Sequence, residues 1–268
     1  MFDTQQYLDR IGYTGPVDVS EKTLRGLQKR HLMAIPYNSD GIAAIWSNVG
    51  YPIAMDLPTA YTACVQGGRG GICLQLNRLF GQLLERLGFE VALLSGNTYM
   101  GSQWFDHEIE HMFLQVTLDG QRWLVDAGSP GPSYLEPLLV TDEVQEQYGS
   151  RFRLRPDGEH TVVERQAANG TEFKPVYRFK DIVRRPADWD DTGRNWWAFQ
   201  PETARPGAQM TLMGRAFANG QLTLQGRRLI TVTDGREEVR TLVKTPVYQS
   251  TLDAFVAPAD LQPDLLPR

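Results

Sequence analysis

Across the first 88 residues the apolar positions recur at helical spacing. Asp3 stands where it can cap a short helix that ends near Gly12, with Gln6 three residues on to answer it. Ser20 opens a second segment in which Leu24, Leu27 and His31 share a face, and Pro36 closes it. A third helix follows the glycine cluster Gly67, Gly68, Gly70 and Gly71. Its Leu76, Leu79, Phe80, Leu83, Leu84 and Leu87 form a core-facing stripe that Gly88 ends. From Phe89 the period falls to two. FEVALLSGNT, IEHMFLQVTL and QRWLVDAG read as strands, and Asp119-Gly120 between the last two signals a tight hairpin. RFRLR, HTVVE and PVYRF continue the pattern. After the loop RRPADWDDTGRNWWAFQPETARPG, MTLMGRAFANGQLTLQG reads as a hairpin, LITVTDGREEV follows, and the tail is weakly helical. The pattern predicts an α+β chain: a helical domain over 1–88, an antiparallel β-sheet or barrel over 89–190, and an α/β lid over 191–268.

Composition narrows the class. A chain of 268 residues, 41% hydrophobic and 22% charged, can bury a sizeable core. No run of about 18 apolar residues marks a transmembrane helix. The opening MFDTQQYLDRIGY lacks the layout of a signal peptide, so cytoplasm is the expected compartment. A net charge of −5 with both signs interspersed argues against nucleic acid or an anionic membrane as partner. Cys64 and Cys73 are too few for a disulfide framework. The histidines are not at zinc-binding spacing, and no metal is expected. Gly70-Gly71 lacks the Lys-Ser or Lys-Thr ending of a phosphate loop.

The chemistry concentrates at three residues. Cys73 follows Arg69-Gly70-Gly71-Ile72 and starts the leucine-striped helix. Unpaired N–H groups and the macrodipole favour anions at a helix N-terminus, and the thiolate is the nucleophilic form of cysteine. The glycines let a reacting group approach the backbone. The competing reading of Cys73 is a small buried residue at a helix start. If Asp119 and Gly120 form a two-residue loop, Leu118 pairs with Gln121, and His111, Phe113, Asp126 and Gly128 fall on one face of the hairpin. His111 and Asp126 are then diagonal neighbours, about 7–8 Å apart along the backbone. An aspartate there can bond one imidazole nitrogen and leave the other for a thiol, the nucleophile–base–orienter logic of catalytic triads. His107 is a weaker base at a ragged strand start, His31 reads as a hydrogen-bonded core residue, His160 as solvated, and Cys64 as a packed or idle thiol.

These residues sit in motifs with a family likeness. RGGICLQLN, EHMFLQV and WLVDAG, in that order and spacing, resemble the arylamine N-acetyltransferases. So does the opening YLDRIGYTGP…LRGLQKRHLMAIPYNSD, and more faintly NWWAFQPE…GRAF…GQLTLQGRRLITVTDG. The resemblance implies a three-domain cysteine acyltransferase with a papain-like core and a triad of Cys73, His111 and Asp126. It also implies ping-pong transfer of an acyl group from a thioester such as acetyl-coenzyme A, a co-substrate rather than a bound cofactor, to an arylamine. Tyr37, Arg69 and Gly128 are the candidate substrate-binding residues. Several positions depart from the family pattern. Gln75 and Asn38 stand where acids are expected, Glu110 where threonine is frequent, Ser129-Pro130 after VD-x-G, and Phe199-Gln200-Pro201 in place of ST-x-P. Without an acid at position 38, Arg69 must find another such as Asp40, bond neutral groups, or serve an anionic ligand. An intact triad in altered surroundings admits a specialised enzyme that takes a carrier-protein or non-acetyl thioester and a biosynthetic amine. A cysteine hydrolase and a non-catalytic relative are the remaining readings.

Overall fold

The computed structural model describes residues 2–39, 56–101, 104–106, 108–189 and 211–261. His107, Asp40 and the segment Phe199-Gln200-Pro201 therefore lie outside the described residues.

The three expected helices form with the caps the sequence provides. Asp3 accepts the Gln6 N–H at the head of α1 (Thr4–Ile11), and Gly12 ends it in the left-handed region. Ser20 accepts the Thr23 N–H at the head of α2 (Glu21–Ala34). A short helix α3 (Leu57–Tyr61), capped by Asp56, runs into a π-helical turn over Thr62–Gln66. The leucine-striped helix is α4 (Cys73–Arg86). Its Leu76, Leu79, Phe80, Leu83 and Leu84 have no exposed surface, each contributing roughly 1.5–3 kcal/mol of burial.

The larger sheet is antiparallel and nearly closes into a barrel. Its strands are β2 (Glu90–Gly101), β3 (Trp104–Phe105), β4 (His111–Leu118), β5 (Gln121–Val125), β6 (Leu138–Leu139), β7 (Gln145–Gln147), β8 (Ser150–Asp157), β9 (His160–Gln166) and β10 (Lys174–Phe179). They run in the order β6-β5-β4-β2-β10-β9-β8-β7, with β3 beside β2. Side chains bridge the gap between the end strands. Gln145 bonds the Leu139 N–H and carbonyl at 2.8 and 2.9 Å, and Gln147 accepts the N–H groups of Leu135 and Glu136.

The β4–β5 hairpin has the register its loop predicts, with Leu118 opposite Gln121 and Leu114 opposite Val125. Asp119 and Gly120 both take positive φ, 51° and 75°, as a two-residue hairpin loop of this hand requires. Alternation then sorts the side chains. Leu114, Val116, Leu118, Trp123 and Val125 join α1, α2 and α4 in one core. Phe113 and Leu124 point the other way, into a barrel core with Leu94, Tyr134, Phe152 and Tyr177.

The smaller sheet has the order β1-β11-β12-β13-β14, where β1 is Tyr37–Asn38 and the others are β11 (Leu212–Phe217), β12 (Gly220–Gln225), β13 (Arg228–Thr233) and β14 (Arg236–Thr241). Helix α5 (Thr245–Val256) packs on it through Phe255. The edge strand β1 comes from the helical part of the chain, which no periodicity in two residues could announce. It pairs with Gly214 on β11 and makes a parallel bridge to Gly71.

Candidate active site

The loop before α4 is built for close approach. Gly70 takes φ +73°, and a Cβ there would lie 2.1 Å from the Pro36 carbonyl oxygen. The Gly71 N–H donates to that carbonyl, and the Gly71 carbonyl accepts the Asn38 N–H at 2.8 Å. Asn38 Nδ2 also donates to the Arg69 carbonyl at 2.8 Å. Behind the loop the Cys64 thiol donates to the Gly70 carbonyl at 3.1 Å, and burial pushes its pKa up to about 12. Cys64 is thus a neutral thiol that braces the loop rather than an idle one. Gln75 reaches back to accept the Ile72 N–H at 3.2 Å, one half of a capping box. The amide at position 75 so retains a helix-start role for an acceptor oxygen.

Cys73, the first residue of α4, is a free thiol and 6% exposed. It packs with Ile72, Leu74, Met112 and Trp189, against which Tyr37, Leu93 and Ile109 also lie. His111 begins β4 and is buried, stacked over Phe113 with ring centroids 6.1 Å apart and 5.4 Å from the Tyr177 ring. Its Nε2 lies 2.8 Å from Asp126 Oδ2, just beyond the end of β5. The diagonal that the hairpin register predicts is therefore occupied by a hydrogen bond. The other imidazole nitrogen, Nδ1, is sealed from solvent and makes no hydrogen bond among the described residues.

Electrostatics at the pair follow from burial and contact. Burial alone would push His111 down, but the Asp126 carboxylate and the Cys73 sulfur overcome it and hold the imidazole well above its ordinary value. Burial likewise opposes the charge on Asp126, and His111, Asn77 and the Gly128 N–H together hold its pKa below the usual carboxylate range. Asn77, which the sequence reading quoted in RGGICLQLN without a role, is central to this. It sits one helical turn after Cys73, where its Nδ2 donates to Asp126 Oδ1 at 3.0 Å and to the Met112 carbonyl at 2.7 Å. Its Oδ1 accepts the Ala127 N–H at 2.8 Å. One buried amide thus joins the cysteine helix to the histidine strand and the aspartate turn. Spacing of four from the cysteine was the signal that could have found it.

The three candidate substrate residues fare differently. Gly128 is a packing requirement: a Cβ there would lie 2.9 Å from Cys73 Cα and 3.1 Å from Asn77 Nδ2. Tyr37 lies beside the site, its phenol raised by burial and then by Cys73, Glu110 and Asp126. Arg69 is exposed, and no ion pair among the described residues engages it. Exposure lowers the desolvation cost that an unpaired guanidinium carries when buried, and the alternative partner Asp40 lies outside the described residues. His31 is a core residue as expected. It is fully buried, bonded to the Tyr7 hydroxyl at 2.8 Å, and burial lowers its pKa to about 3. His160 is half-buried in β9, its pKa lowered by burial and then by Arg178 and Lys180. Among the described residues no group of three or more His, Cys, Asp or Glu is placed to hold a metal ion, and no helix is long and apolar enough to cross a membrane.

A buried cysteine at a helix start thus lies near an imidazole that is bonded to a buried carboxylate, and comparison with known proteins gives the class. The N-acetyltransferase family model matches residues 21–256. The chain belongs to the arylamine N-acetyltransferase family and is a transferase. It is 45% identical to the Proansamycin X synthase of Amycolatopsis mediterranei over 96% of this chain and 98% of that one. To the liver isozyme of arylamine N-acetyltransferase from Gallus gallus it is 32% identical, over 57% of this chain and 53% of that enzyme. In structure it is similar to the Nocardia farcinica arylamine N-acetyltransferase, with a TM-score of 0.78 and 28% identity over 95% of this chain and 89% of that one. The Mycobacterium marinum enzyme, solved in complex with CoA, gives 0.77 and 26% over 93% and 90%.

Proposed function

We propose that the protein transfers an acyl group from a thioester to an amine through a Cys73 acyl-enzyme, in two half-reactions of a ping-pong sequence. The observation that carries this reading is the buried His111–Asp126 hydrogen bond, set beside a helix whose first residue is Cys73. Asp126 accepts a hydrogen bond from Nε2–H and fixes the ring, which turns Nδ1 toward the cysteine as the proton carrier. In the first half-reaction Nδ1 holds the proton of the thiol, as the raised His111 pKa favours, and the Cys73 sulfur attacks the thioester carbonyl. The adduct collapses by breaking the bond to the donor sulfur, which departs with the proton from the imidazolium. In the second, the amine nitrogen attacks the acyl carbonyl and gives a proton to Nδ1. The Cys73 sulfur is expelled, and the product is an amide. The first turn of α4 has N–H groups without intrahelical partners, which suit the oxyanion of each adduct.

On this reading acetyl-coenzyme A is the donor and an arylamine the acceptor, with Tyr37 beside the acyl group and Gly128 admitting close packing behind Cys73. Every step uses side chains of the protein, without a resident cofactor. A second reading has one observation in its favour. The relative called a synthase matches along 98% of its length at 45% identity, whereas the chicken enzyme matches over about half of its own. That favours a specialised acyltransferase that forms an amide in biosynthesis from a larger or carrier-borne thioester. The altered positions Asn38, Gln75 and Glu110 fit it as well. The test is thiol release without amine. Acetyl-coenzyme A should give a burst approaching one thiol per chain that then stops until aniline is added. A burst only with larger acyl or carrier-protein thioesters selects the second reading. Steady release without any amine would make the protein a hydrolase.

A further inference from the structure

Glu110 immediately precedes His111 and has no part in the chemistry above. Its Oε2 accepts two hydrogen bonds from Thr98 on the adjoining strand β2, from the hydroxyl at 2.6 Å and from the backbone N–H at 3.3 Å. Those donors fix the half-buried carboxyl, while Oε1 makes no hydrogen bond among the described residues. Its neighbours show where it sits. Ile109 packs against the cluster that contains Cys73, Met112 and Trp189, and His111 bonds Asp126. Electrostatics agree with this neighbourhood: Glu110 and Cys73 both raise the Tyr37 phenol, and Glu110 itself feels His111 and Asp106. A carboxyl partly withdrawn from water is stabilised when its remaining lone pairs are used. Here the remaining acceptor belongs to the residue between Ile109, which packs against the Cys73 cluster, and His111, which bonds Asp126.

We infer that Glu110 is a specificity-determining residue for the acceptor, favouring amines with a second hydrogen-bond donor and disfavouring amines with a carboxylate. The favoured class carries a phenolic hydroxyl or a second amino group on the same ring. This assignment rests on the reading of Cys73 as the residue that carries the acyl group. A site that bonds a substrate hydroxyl discriminates strongly against the analogue without it, and a nearby like charge repels.

The test loads the full-length protein with acetyl from p-nitrophenyl acetate, removes the reagent, and measures transfer to aniline, 3-aminophenol and 3-aminobenzoate. Wild type should prefer 3-aminophenol to aniline by about tenfold and use 3-aminobenzoate worst. In Glu110→Gln the penalty on 3-aminobenzoate should shrink. In Glu110→Thr the preference for 3-aminophenol should also fall, by about tenfold. A purely structural role for Glu110 would slow all three amines together. Unchanged ratios in both variants overturn the assignment. Absence of acetyl on wild-type Cys73 at the loading step overturns the nucleophile reading itself, which is a separate and visible failure.

Discussion

Three donors converge on the Asp126 carboxylate: the His111 ring, the Asn77 amide and the Gly128 N–H. If the carboxylate sets the tautomer of His111, an amide of the same shape cannot replace it. Asp126→Asn should therefore lower turnover by about four orders of magnitude while leaving the fold intact, as orienter loss does in other triads. A rate within about tenfold of wild type would assign orientation to another group. The same pair fixes a pH dependence of stability. His111 is raised from 6.5, so its stabilisation is complete below that pH and fades as pH climbs through the folded value. Asp126 is lowered from 3.8, so its stabilisation is complete above that pH and is lost as pH falls through the folded value. The difference in Tm between wild type and Asp126→Asn should thus be widest between those two pH values and narrow on either side. His31, neutral in the fold down to about 3, costs stability below 6.5 in both proteins and cancels from the difference above about 3; below that the loss of the Asp126 charge, which raises His31, makes the cost larger in Asp126→Asn. At this scale the sequence was informative wherever a residue's place followed from an element already recognised. Cys73 was marked by the glycines before it, and His111 and Asp126 by a hairpin register. Asn77 and Gln28 were opaque because their roles depend on a turn from elsewhere in the chain; Gln28 accepts the Asp126 N–H across 98 residues.

Elements meet closely where the turn after β5 crosses the head of α4. No side chain fits at Gly128, because backbone and not a flexible tip is what its Cβ would strike. Gly128→Ala should cost about 1–3 kcal/mol by overpacking and should lower kcat more than it raises KM, since it separates the Cys73 helix from the Asp126 turn. Thermal melting and steady-state kinetics on one preparation check both; an unchanged kcat would mean that the cysteine's position tolerates the shift. Long elements were legible because period and caps agree. Helix α4 has an unbroken stripe, and β4 and β5 share a loop whose two residues alone fix the register. Short elements were not. Strands β1, β6 and β7 hold two or three residues, too few to show alternation, and partners place them. Helix α3 did carry a start signal, Asp56 capping Thr59 with Pro58 in the first turn, but five residues hold no periodic stripe to go with it.

Across the whole molecule, the smaller sheet is fastened to the rest by polar contacts, buried at Arg215 and exposed at Asn169, that no pattern in the sequence foretells. Arg215 on β11 donates through Nε to the Met33 carbonyl at the end of α2, and through its other nitrogens to the carbonyls of Ala254, Phe255, Ala257 and Ala259. Arg165 on β9 pairs with Glu237 on β14 at 2.8 Å, and Asn169 bonds the Glu237 backbone in both directions. Arg215→Met would leave those carbonyls unpaired at roughly 1–3 kcal/mol for each that stays buried. Amide exchange over residues 245–261 should accelerate more than exchange in α4 or β4. Uniform acceleration would show instead that the tail and the core open as one unit. The period of the apolar positions announced an α+β protein, yet it could not show that a strand from the helical stretch, β1, completes the far sheet and links it to the Gly71 loop. The central claim is that the acyl group passes through Cys73, and intact mass tests it most directly. Wild type mixed with a competent thioester should gain one acyl group, which peptide mapping places on Cys73 and an added amine discharges as amide, while Cys73→Ala gains nothing and turns over nothing. An alanine variant that still forms the amide, or an acyl group found on another residue, would contradict the account.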